Sequence, residues 1–309
     1  MSDEPASGFG DLGEDRVFSV AQAGRAGIDA AALRTAVRRG VIRRLQRGWY
    51  TAATPADSVD EHLLRTIAAV RARPGVVAAS HHSALVAYGL PLVDVGLREV
   101  CVDHLSDRRY RTAGGVRDFP CVAPPVVIER AALGQGLLVV PAAVAVAQVG
   151  CLHGPRAALA AADASLRLAL ATADDLAQAV VSLRRRAGIG RAAWALSIAD
   201  GRRESPGESA VALVMHRAGI PVVPQLEVRD GATAWRADFA VVGHRVLIEF
   251  DGAMKYGSRD DLMREKRRED RLRELGWTVV RVVWSDLAHP DEIVHRVRRA
   301  MARSLGLAV

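Results

Sequence analysis

The sequence predicts a multi-domain α/β protein, and its length, charge distribution and order of elements all favour this class. At 309 residues the chain is longer than most single domains. Toward the C-terminus the hydrophobic pattern switches repeatedly between helix and strand periods. We divide the chain into an acidic tail, a basic helical domain, a mixed and mostly helical linker domain, and a C-terminal α/β domain (residues 1–14, 15–52, 53–200 and 201–309).

The composition excludes several classes of protein. Half of the residues are hydrophobic and a quarter are charged, so the chain can bury real cores and is not globally disordered. No apolar run reaches the ~18 residues of a membrane span, and the N-terminus lacks the pattern of a signal peptide. The three cysteines are spaced for neither a disulfide framework nor a zinc site. We expect a soluble, cytoplasmic protein without a membrane partner.

The formal charge of +7 is concentrated near the N-terminus. Residues 15–52 carry eight arginines and two aspartates. A concentrated basic segment is typical of contacts with a nucleic-acid backbone. A solvated, arginine-rich surface is the alternative that charge alone leaves open.

This basic segment has the pattern of a winged helix-turn-helix. Ser19 begins a short helix that Gly27 ends, and Asp29 begins a second helix that reaches Gly40. Two strand-like runs with a turn at Gly48 follow. In this fold the second helix enters the major groove and the wing contacts phosphates. The predicted DNA-binding side chains are Arg34, Arg38 and Arg39 on the helix and Arg43, Arg44 and Arg47 on the wing.

The run SVAQAGRAGIDAAALRTAVRRGVIRRLQRGWYT resembles the N-terminal domain of AbiEi-type antitoxins. The ending of the wing, RGWY, is the most specific part of the match. The resemblance implies a DNA-binding winged helix. A small helical domain that binds protein is the alternative interpretation of the same residues.

The C-terminal domain is predicted to have the order αβββαβ, followed by one more helix. Ser205 and Glu208 occupy the N-cap and capping-box positions of the first helix. Gly243 and His244 form a two-residue hairpin turn between the second and third strands. The predicted elements after the first helix are strands at 222–228, 235–242 and 245–251, a charged helix at 260–275, a buried strand at 277–284 and a closing helix at 290–305.

The turn determines which strand residues face each other. Pairing across it places Asp238 directly opposite Glu249. Alternate residues of a strand share a face, so Asp251 joins Glu249. Three carboxylates then meet on one face of a mostly apolar sheet, where like charges destabilise the pairing. The alternative is that Asp238 pairs with Arg236 or Arg245 at a solvent-exposed end.

A divalent cation would relieve this repulsion, because Mg²⁺ takes oxygen ligands. We therefore predict that Asp238, Glu249 and Asp251 hold Mg²⁺ or Mn²⁺. Both lysines of the chain, Lys255 and Lys266, follow this cluster closely. Lysine, unlike arginine, can lose its proton or place a compact charge beside a metal-bound water. Chance placement of two lysines is the alternative.

Five motifs of this domain resemble the Vsr-like group of PD-(D/E)XK nucleases: ESPGES, RADFAV, IEFDGAMKY, EKRREDRLRELGW and RVVWSDL. The resemblance implies a restriction-endonuclease-like fold, with Asp238 as the hairpin aspartate and Glu249 as the second metal ligand. Asp251 stands where many members have the catalytic lysine. Lys266 is the first candidate for a relocated lysine and Lys255 the second. Glu208 matches a helix acid that some members use near the metal, and its capping role explains it equally well.

Two functions follow from these expectations. The first is a metal-dependent DNA endonuclease that binds double-stranded DNA through its winged helix and acts in a toxin–antitoxin or defence context. The second is an antitoxin-type transcriptional regulator whose nuclease fold is inactive. The sequence leaves open an RNA target, a cognate toxin and a homodimer.

Overall fold

A computed structural model describes residues 9, 12, 16–106, 110–133, 135–231, 233–252 and 259–306. The chain divides into two compact units. The first comprises Met1–Ala161 and Leu170–Ser197, and the second comprises Ala162–Ala169 and Ile198–Val309. The division falls inside one helix. The finer boundaries predicted at residues 14, 52 and 200 remain predictions.

The N-terminal part of the first unit has the predicted winged-helix elements. Strand β1 (Phe18–Ser19) precedes helices α1 (Val20–Arg25) and α2 (Ala30–Arg38), and strands β2 (Arg43–Gln46) and β3 (Trp49–Thr51) follow. The three strands form one sheet in the order β1-β3-β2.

The capping residues account for the two helix starts. Ser19 Oγ accepts a hydrogen bond from Gln22 N, and the Gln22 side chain accepts one from Ser19 N, which completes a capping box. Asp29 caps α2 by accepting from Ala32 N at 2.7 Å. The apolar faces of the two helices close over a small core that includes Phe18, Leu33 and Ile42.

The rest of the first unit contains a six-stranded sheet, and the sequence pattern indicated only two of its strands. The strand order is β6-β7-β5-β4-β9-β8. The apolar runs at 95–102 and 116–122 are the two that predict strands in this part of the chain, and they overlap β5 and β7. The strands are β4 (Val77–Ala79), β5 (Val100–His104), β6 (Arg111–Ala113), β7 (Val116–Pro120), β8 (Val126–Ile128) and β9 (Leu137–Val139).

Helices surround this sheet and bury its apolar residues. Leu64, Ile67, Val102 and Val139 are fully buried in the shared core. None of the described helices is long and apolar enough to cross a membrane. The remaining helices of the unit are α3 (Ser58–Arg71), α4 (His81–Tyr88), α5 (Ala142–His153), the start of α6 (Pro155–Arg167), α7 (Ala173–Ser182) and α8 (Ile189–Leu196).

The second unit confirms the predicted αβββαβ order with an added helix. Its sheet has the order β10-β11-β12-β13, in which the first two pairings are antiparallel and the last is parallel. The elements are α9 (Pro206–Arg217), β10 (Val222–Asp230), β11 (Thr233–Val241), β12 (Val246–Asp251), α10 (Arg259–Glu274), β13 (Thr278–Val283), a 3₁₀ turn (Trp284–Ala288) and α11 (Pro290–Ser304).

Two apolar clusters hold this unit together. One cluster joins Phe239 and Ile248 of the sheet to Met215 of α9 and Ile293 of α11. The other contains Leu247 of the sheet and Leu272 of α10. Because Leu247 and Ile248 are adjacent strand residues, the two clusters lie on opposite faces of the sheet.

Candidate functional site

The start of helix α9 brings one carboxylate to the edge of the sheet. Ser205 caps the helix as predicted, since its Oγ accepts a hydrogen bond from Glu208 N at 3.2 Å. The Glu208 carboxylate does not return to the N-cap residue as a capping box would require. It accepts from Glu204 N at 3.0 Å and from Gln225 Nε2 at 2.8 Å. Glu208 therefore ties the helix start to strand β10 while it is buried.

The hairpin between β11 and β12 keeps the predicted register with a longer connection. Phe239 pairs with Ile248 and Ala240 with Leu247, and one further step along this register sets Asp238 opposite Glu249. The connection spans residues 242–245 and not the two residues predicted. His244 N donates to Val241 O at 3.2 Å. This hydrogen bond closes a turn over residues 241–244, which begins one residue earlier than the turn predicted around Gly243 and His244.

The Asp238 carboxylate bonds to the backbone of the neighbouring strand. Asp238 Oδ2 accepts a hydrogen bond from Phe250 N at 2.7 Å. This bond follows directly after the last ladder pair of the two strands, Phe239 with Ile248. The carboxylate thus satisfies an amide that a continued ladder would have paired with a backbone carbonyl.

The surroundings of Asp238 disfavour its charge. Burial raises the pKa of Asp238 to about 6, and the hydrogen bond from Phe250 N opposes that rise. The negative charges of Glu208 and Glu249 raise the pKa further, whereas Arg268 lowers it. Asp238 therefore lies close enough to both Glu208 and Glu249 for their charges to act on it.

The two arginines proposed as alternative partners of Asp238 bond elsewhere. Arg236 pairs with Glu204 at 2.8 Å, and Arg245 donates to Leu275 O at 2.6 Å. The interpretation in which either arginine neutralises Asp238 is therefore wrong.

Glu249 is bonded to an arginine that the sequence pattern did not indicate. Arg268 Nη2 of α10 donates to Glu249 Oε1 and lies 3.5 Å from Arg236 O. Both side chains of this ion pair are largely buried. Arg268 could have been found from its spacing, because it lies four residues before the buried Leu272 and so on the same side of the helix.

Asp251 is the last residue of β12 and pairs in parallel register with Val283. Among the described residues, no group of three or more histidine, cysteine, aspartate or glutamate side chains is arranged to hold a metal ion. The assignment of Asp238, Glu249 and Asp251 as metal ligands therefore stays a prediction. The acids that act on Asp238 in the structure are Glu208 and Glu249.

The structure locates only one of the two predicted lysines. Lys266 lies on α10 and is exposed. Lys255 falls outside the described residues. Among the described residues, Arg268 is a basic group bonded to Glu249 of the acidic cluster, and it lies two positions after Lys266.

Gln225 is a second residue that the pattern did not reveal. Its backbone φ is +56°, in the left-handed region that residues other than glycine rarely adopt. It interrupts the ladder between β10 and β11 opposite Asp238. No local signal marks this position, because a glutamine inside a strand pattern gives no hint of a left-handed backbone.

A close helix–strand contact holds this arrangement in place. A Cβ built on Gly207 would overlap the Phe250 ring, so this ring packs directly on the α9 backbone. The Phe250 ring also packs edge-on against the Trp284 ring, with 5.1 Å between the ring centroids. Phe250 is the residue whose amide bonds to Asp238, so Gly207 sets the separation between helix and site.

A buried ionic network anchors the segment before α9. Asp163 accepts hydrogen bonds from Arg203 Nη1 at 2.9 Å and from Ser209 Oγ at 2.7 Å. Asp200 N donates to the same carboxylate at 2.7 Å. Asp163 and Arg203 are both buried, so the charge of each side chain needs the opposite charge of the other for compensation.

The predicted DNA-binding arginines are exposed on the winged-helix elements, and three of them make contacts there. Arg38 Nη2 donates to Thr35 Oγ1 at 3.2 Å. Arg43 is bonded to Glu61 of α3 at 2.8 Å, and Arg44 Nε donates to Gln46 O at 3.2 Å. The set comprises Arg34, Arg38 and Arg39 on or directly after α2, Arg43 and Arg44 on β2, and Arg47 in the turn.

Comparisons with known proteins agree with both ends of the chain. Residues 13–53 match the family described as "Transcriptional regulator, AbiEi antitoxin" (AbiEi_4). Residues 208–301 match the restriction-endonuclease-like family REase_MTES_1575.

Two relatives come from Mycobacterium tuberculosis, the uncharacterized proteins MT2308 (strain CDC 1551) and Rv2248 (strain H37Rv). Each is 36% identical over 172 residues, which covers 54% of this chain and 63% of the relative. The comparisons and the fold together show an AbiEi antitoxin-like domain at the N-terminus and a restriction-endonuclease-like domain at the C-terminus of one chain.

Proposed function

We propose that the protein is a metal-dependent DNA endonuclease whose winged helix docks on double-stranded DNA. The observation that carries this proposal is the convergence of Asp238, Glu249 and Glu208 at the end of an apolar sheet. Burial and repulsion there raise the pKa of Asp238 to about 6. Carboxylates held together despite burial and mutual repulsion, which destabilise their charged forms, are typical of a functional site.

Asp238 and Glu249 are the residues proposed to hold Mg²⁺ or Mn²⁺. Their donor set fits, because Mg²⁺ typically uses one or two carboxylates together with water and substrate phosphate. The chemistry that a bound cation supplies is a lower pKa for a coordinated water and compensation of phosphate charge. Glu208 holds the strand beside Asp238 through Gln225.

The proposed reaction is hydrolysis of a phosphodiester bond. A water oxygen bonds to phosphorus and releases a proton to solvent, the P–O bond to the leaving sugar oxygen breaks, and that oxygen takes up a proton from solvent. Asp251, at the end of the same strand as Glu249, is proposed as a further ligand of the cation. Lys266 and Lys255 are proposed to contact DNA phosphate, since Lys266 is exposed.

The winged helix supplies affinity in this proposal. Arg34 and Arg38 extend from the second helix, which enters the major groove in this fold. Arg44 and Arg47 on the wing suit phosphate oxygens. Such contacts weaken as salt rises, because binding releases counterions from the DNA.

The test is nicking of supercoiled plasmid with Mg²⁺ or Mn²⁺, comparing the full chain with Glu249→Ala. The matched control is Glu292→Ala, an exposed acid on α11 of the same unit. We expect the control to cut like the wild type and Glu249→Ala to be inactive. Equal cutting by all three proteins would exclude this site as the catalytic one.

A second function is a DNA-binding regulator whose nuclease fold is inactive. Two observations favour it: Asp251 occupies the usual lysine position, and Arg268 is bonded to Glu249. In this function the full chain shifts a specific promoter fragment in a gel and cuts no DNA with any divalent cation. A cognate toxin would be its partner. RNA as the target would show as metal-dependent cutting of RNA and not of plasmid.

A further inference from the structure

The ion pair between Arg268 and Glu249 links helix α10 to the candidate metal site. Arg268 Nη2 donates to Glu249 Oε1, the residue proposed above as a metal ligand. The two side chains are 23% and 14% exposed, so water screens their attraction only weakly. The contact therefore places a full positive charge at the point where a dication would bind.

Arg268 differs from other arginines of the same helix in the partner it contacts. Arg271 bonds to Asp230 and Glu274, and Arg273 bonds to Glu269. Glu269 and Glu274 lie on α10 itself, and Asp230 is the last residue of β10. Arg268 reaches the carboxylate cluster itself.

The packing of α10 holds Arg268 in this place. Leu272, one turn further along the same side of the helix, is 1% exposed and packs with Leu247 of β12. A helix anchored in this way cannot turn Arg268 away from β12 without unpacking Leu272. The guanidinium can still pivot on its own side chain.

The chemistry of the pair suggests an exchange. A carboxylate bound to a guanidinium offers less charge to a cation, so the two compete for Glu249. A guanidinium released beside a phosphate fits it well, because its planar fork matches two phosphate oxygens. Unlike lysine, it stays protonated and stabilises charge without transferring a proton.

We propose that Arg268 is the basic residue of this nuclease site: it neutralises Glu249 when no cation is bound, and moves to the scissile phosphate when Glu249 holds the cation. This inference rests on the proposed function. It assigns to Arg268 the charge-stabilising part that the motif resemblance assigned to a lysine.

The test compares full-length Arg268→Ala and Arg268→Lys with Arg267→Ala, an exposed neighbour on the same helix. Calorimetric titration with Mn²⁺ should show about tenfold tighter binding to Arg268→Ala, because this variant lacks the guanidinium that competes with Mn²⁺ for Glu249. Single-turnover plasmid cutting at saturating Mn²⁺ should fall by about 10²-fold or more. In both measurements Arg268→Lys should give values between those of the wild type and Arg268→Ala, and Arg267→Ala should match the wild type.

The outcomes separate this inference from the function on which it rests. Weaker Mn²⁺ binding by Arg268→Ala would overturn the inference, since Arg268 would then only hold Glu249 in position for the cation. Unchanged binding, or unchanged cutting at saturation, would overturn it as well. If the wild type and Arg268→Ala both fail to bind Mn²⁺, the proposed function falls and this inference with it.

Discussion

Asp238 and Phe250 are joined by a hydrogen bond in which a side-chain carboxylate accepts from a strand amide at 2.7 Å. The bond holds the carboxylate between two strands of an apolar sheet. It stabilises the ionised form, yet burial and two neighbouring acids outweigh it and raise the pKa of Asp238 to about 6. The site therefore keeps a carboxylate whose charge destabilises the fold.

The first prediction concerns this charge. The pKa of Asp238 in the fold lies above its ordinary value of 3.8, so between pH 4 and 6 this carboxyl group is protonated to a greater extent in the folded chain than in the unfolded chain. The contribution of Asp238 to the free energy of unfolding should then fall as pH rises through this window. Asp238→Asn keeps an acceptor for Phe250 N without the charge, and should be more stable by about 1–2 kcal/mol above pH 6, the value being reduced for partial solvent screening.

Urea unfolding in EDTA between pH 4 and 8 measures this difference. The advantage of Asp238→Asn should vanish near pH 4, where wild-type Asp238 is protonated. An advantage that stays constant across the whole pH range would contradict the assignment of the charge to Asp238.

Gly207 provides a second prediction, because it reverses the usual effect of glycine in a helix. Gly→Ala inside a helix ordinarily stabilises by about 0.5–1 kcal/mol. At Gly207 the new Cβ would meet the Phe250 ring, so Gly207→Ala should lower stability by about 1–3 kcal/mol.

The matched control for this substitution is Gly24→Ala in α1, where a Cβ meets nothing within 4 Å. Thermal melts should move in opposite directions for the two variants. Adding Phe250→Leu to Gly207→Ala should restore part of the stability. A melt of Gly207→Ala at or above the wild-type temperature would show that the helix and the ring can separate freely.

Gln225 leads to a third prediction about backbone strain. Its φ of +56° costs little for glycine and about 1 kcal/mol for other residues. Gln225→Ala and Gln225→Gly both remove the bond to Glu208, but only glycine relieves the strain. The glycine variant should therefore be the more stable of the two by about 1 kcal/mol, the reverse of the usual order in a strand. Urea midpoints of the two variants decide this directly, and an alanine variant equal to or above glycine would refute it.

Asp163 supports a fourth prediction on stability. Asp163→Asn leaves the charge of the buried Arg203 without its partner, which should cost about 3 kcal/mol or more. The control is Asp200→Asn, which removes an ion pair with Arg202, whose side chain is 60% exposed, and should cost less than about 1 kcal/mol. Denaturant unfolding of both variants should give clearly different decreases in stability, and similar small decreases would count against a structural role for the pair.

The winged helix yields a fifth prediction. Arg34→Ala should weaken binding of the full chain to double-stranded DNA and lower the slope of log affinity against log salt by about 0.9 for each phosphate that the protein no longer neutralises. Arg43→Ala should have a smaller effect, because Arg43 already bonds to Glu61. Fluorescence anisotropy at several salt concentrations measures both slopes. Equal slopes for wild type and Arg34→Ala would remove Arg34 from the interface.

The sequence predicted the features that depend on near neighbours. The N-caps Ser19, Asp29 and Ser205 each act within three residues, and all three form as expected. The order of helices and strands in the second unit follows from hydrophobic periodicity. The register that sets Asp238 opposite Glu249 is also as predicted, because one short connection between β11 and β12 determines it. The connection is two residues longer than predicted, but the pairing of the strands is unchanged.

The misplaced features depend on residues that meet only after folding. Glu208 bonds to Gln225, seventeen positions away, and so leaves the capping box incomplete. Four of the six strands in the larger sheet of the first unit lack a clear pattern, because short buried strands in alanine- and valine-rich sequence resemble buried helix.

By itself, the sequence determined the fold class, the AbiEi antitoxin-like and restriction-endonuclease-like domains, and the strand register that sets Asp238 opposite Glu249. Only the tertiary structure decided which cationic side chain accompanies those carboxylates. Arg268 reaches Glu249 across nineteen residues through the packing of α10 on the sheet, whereas Lys266 is turned to solvent. Periodicity places residues on a face of a helix, but the rotation of that helix on its sheet follows from how side chains such as Leu272 fill the core.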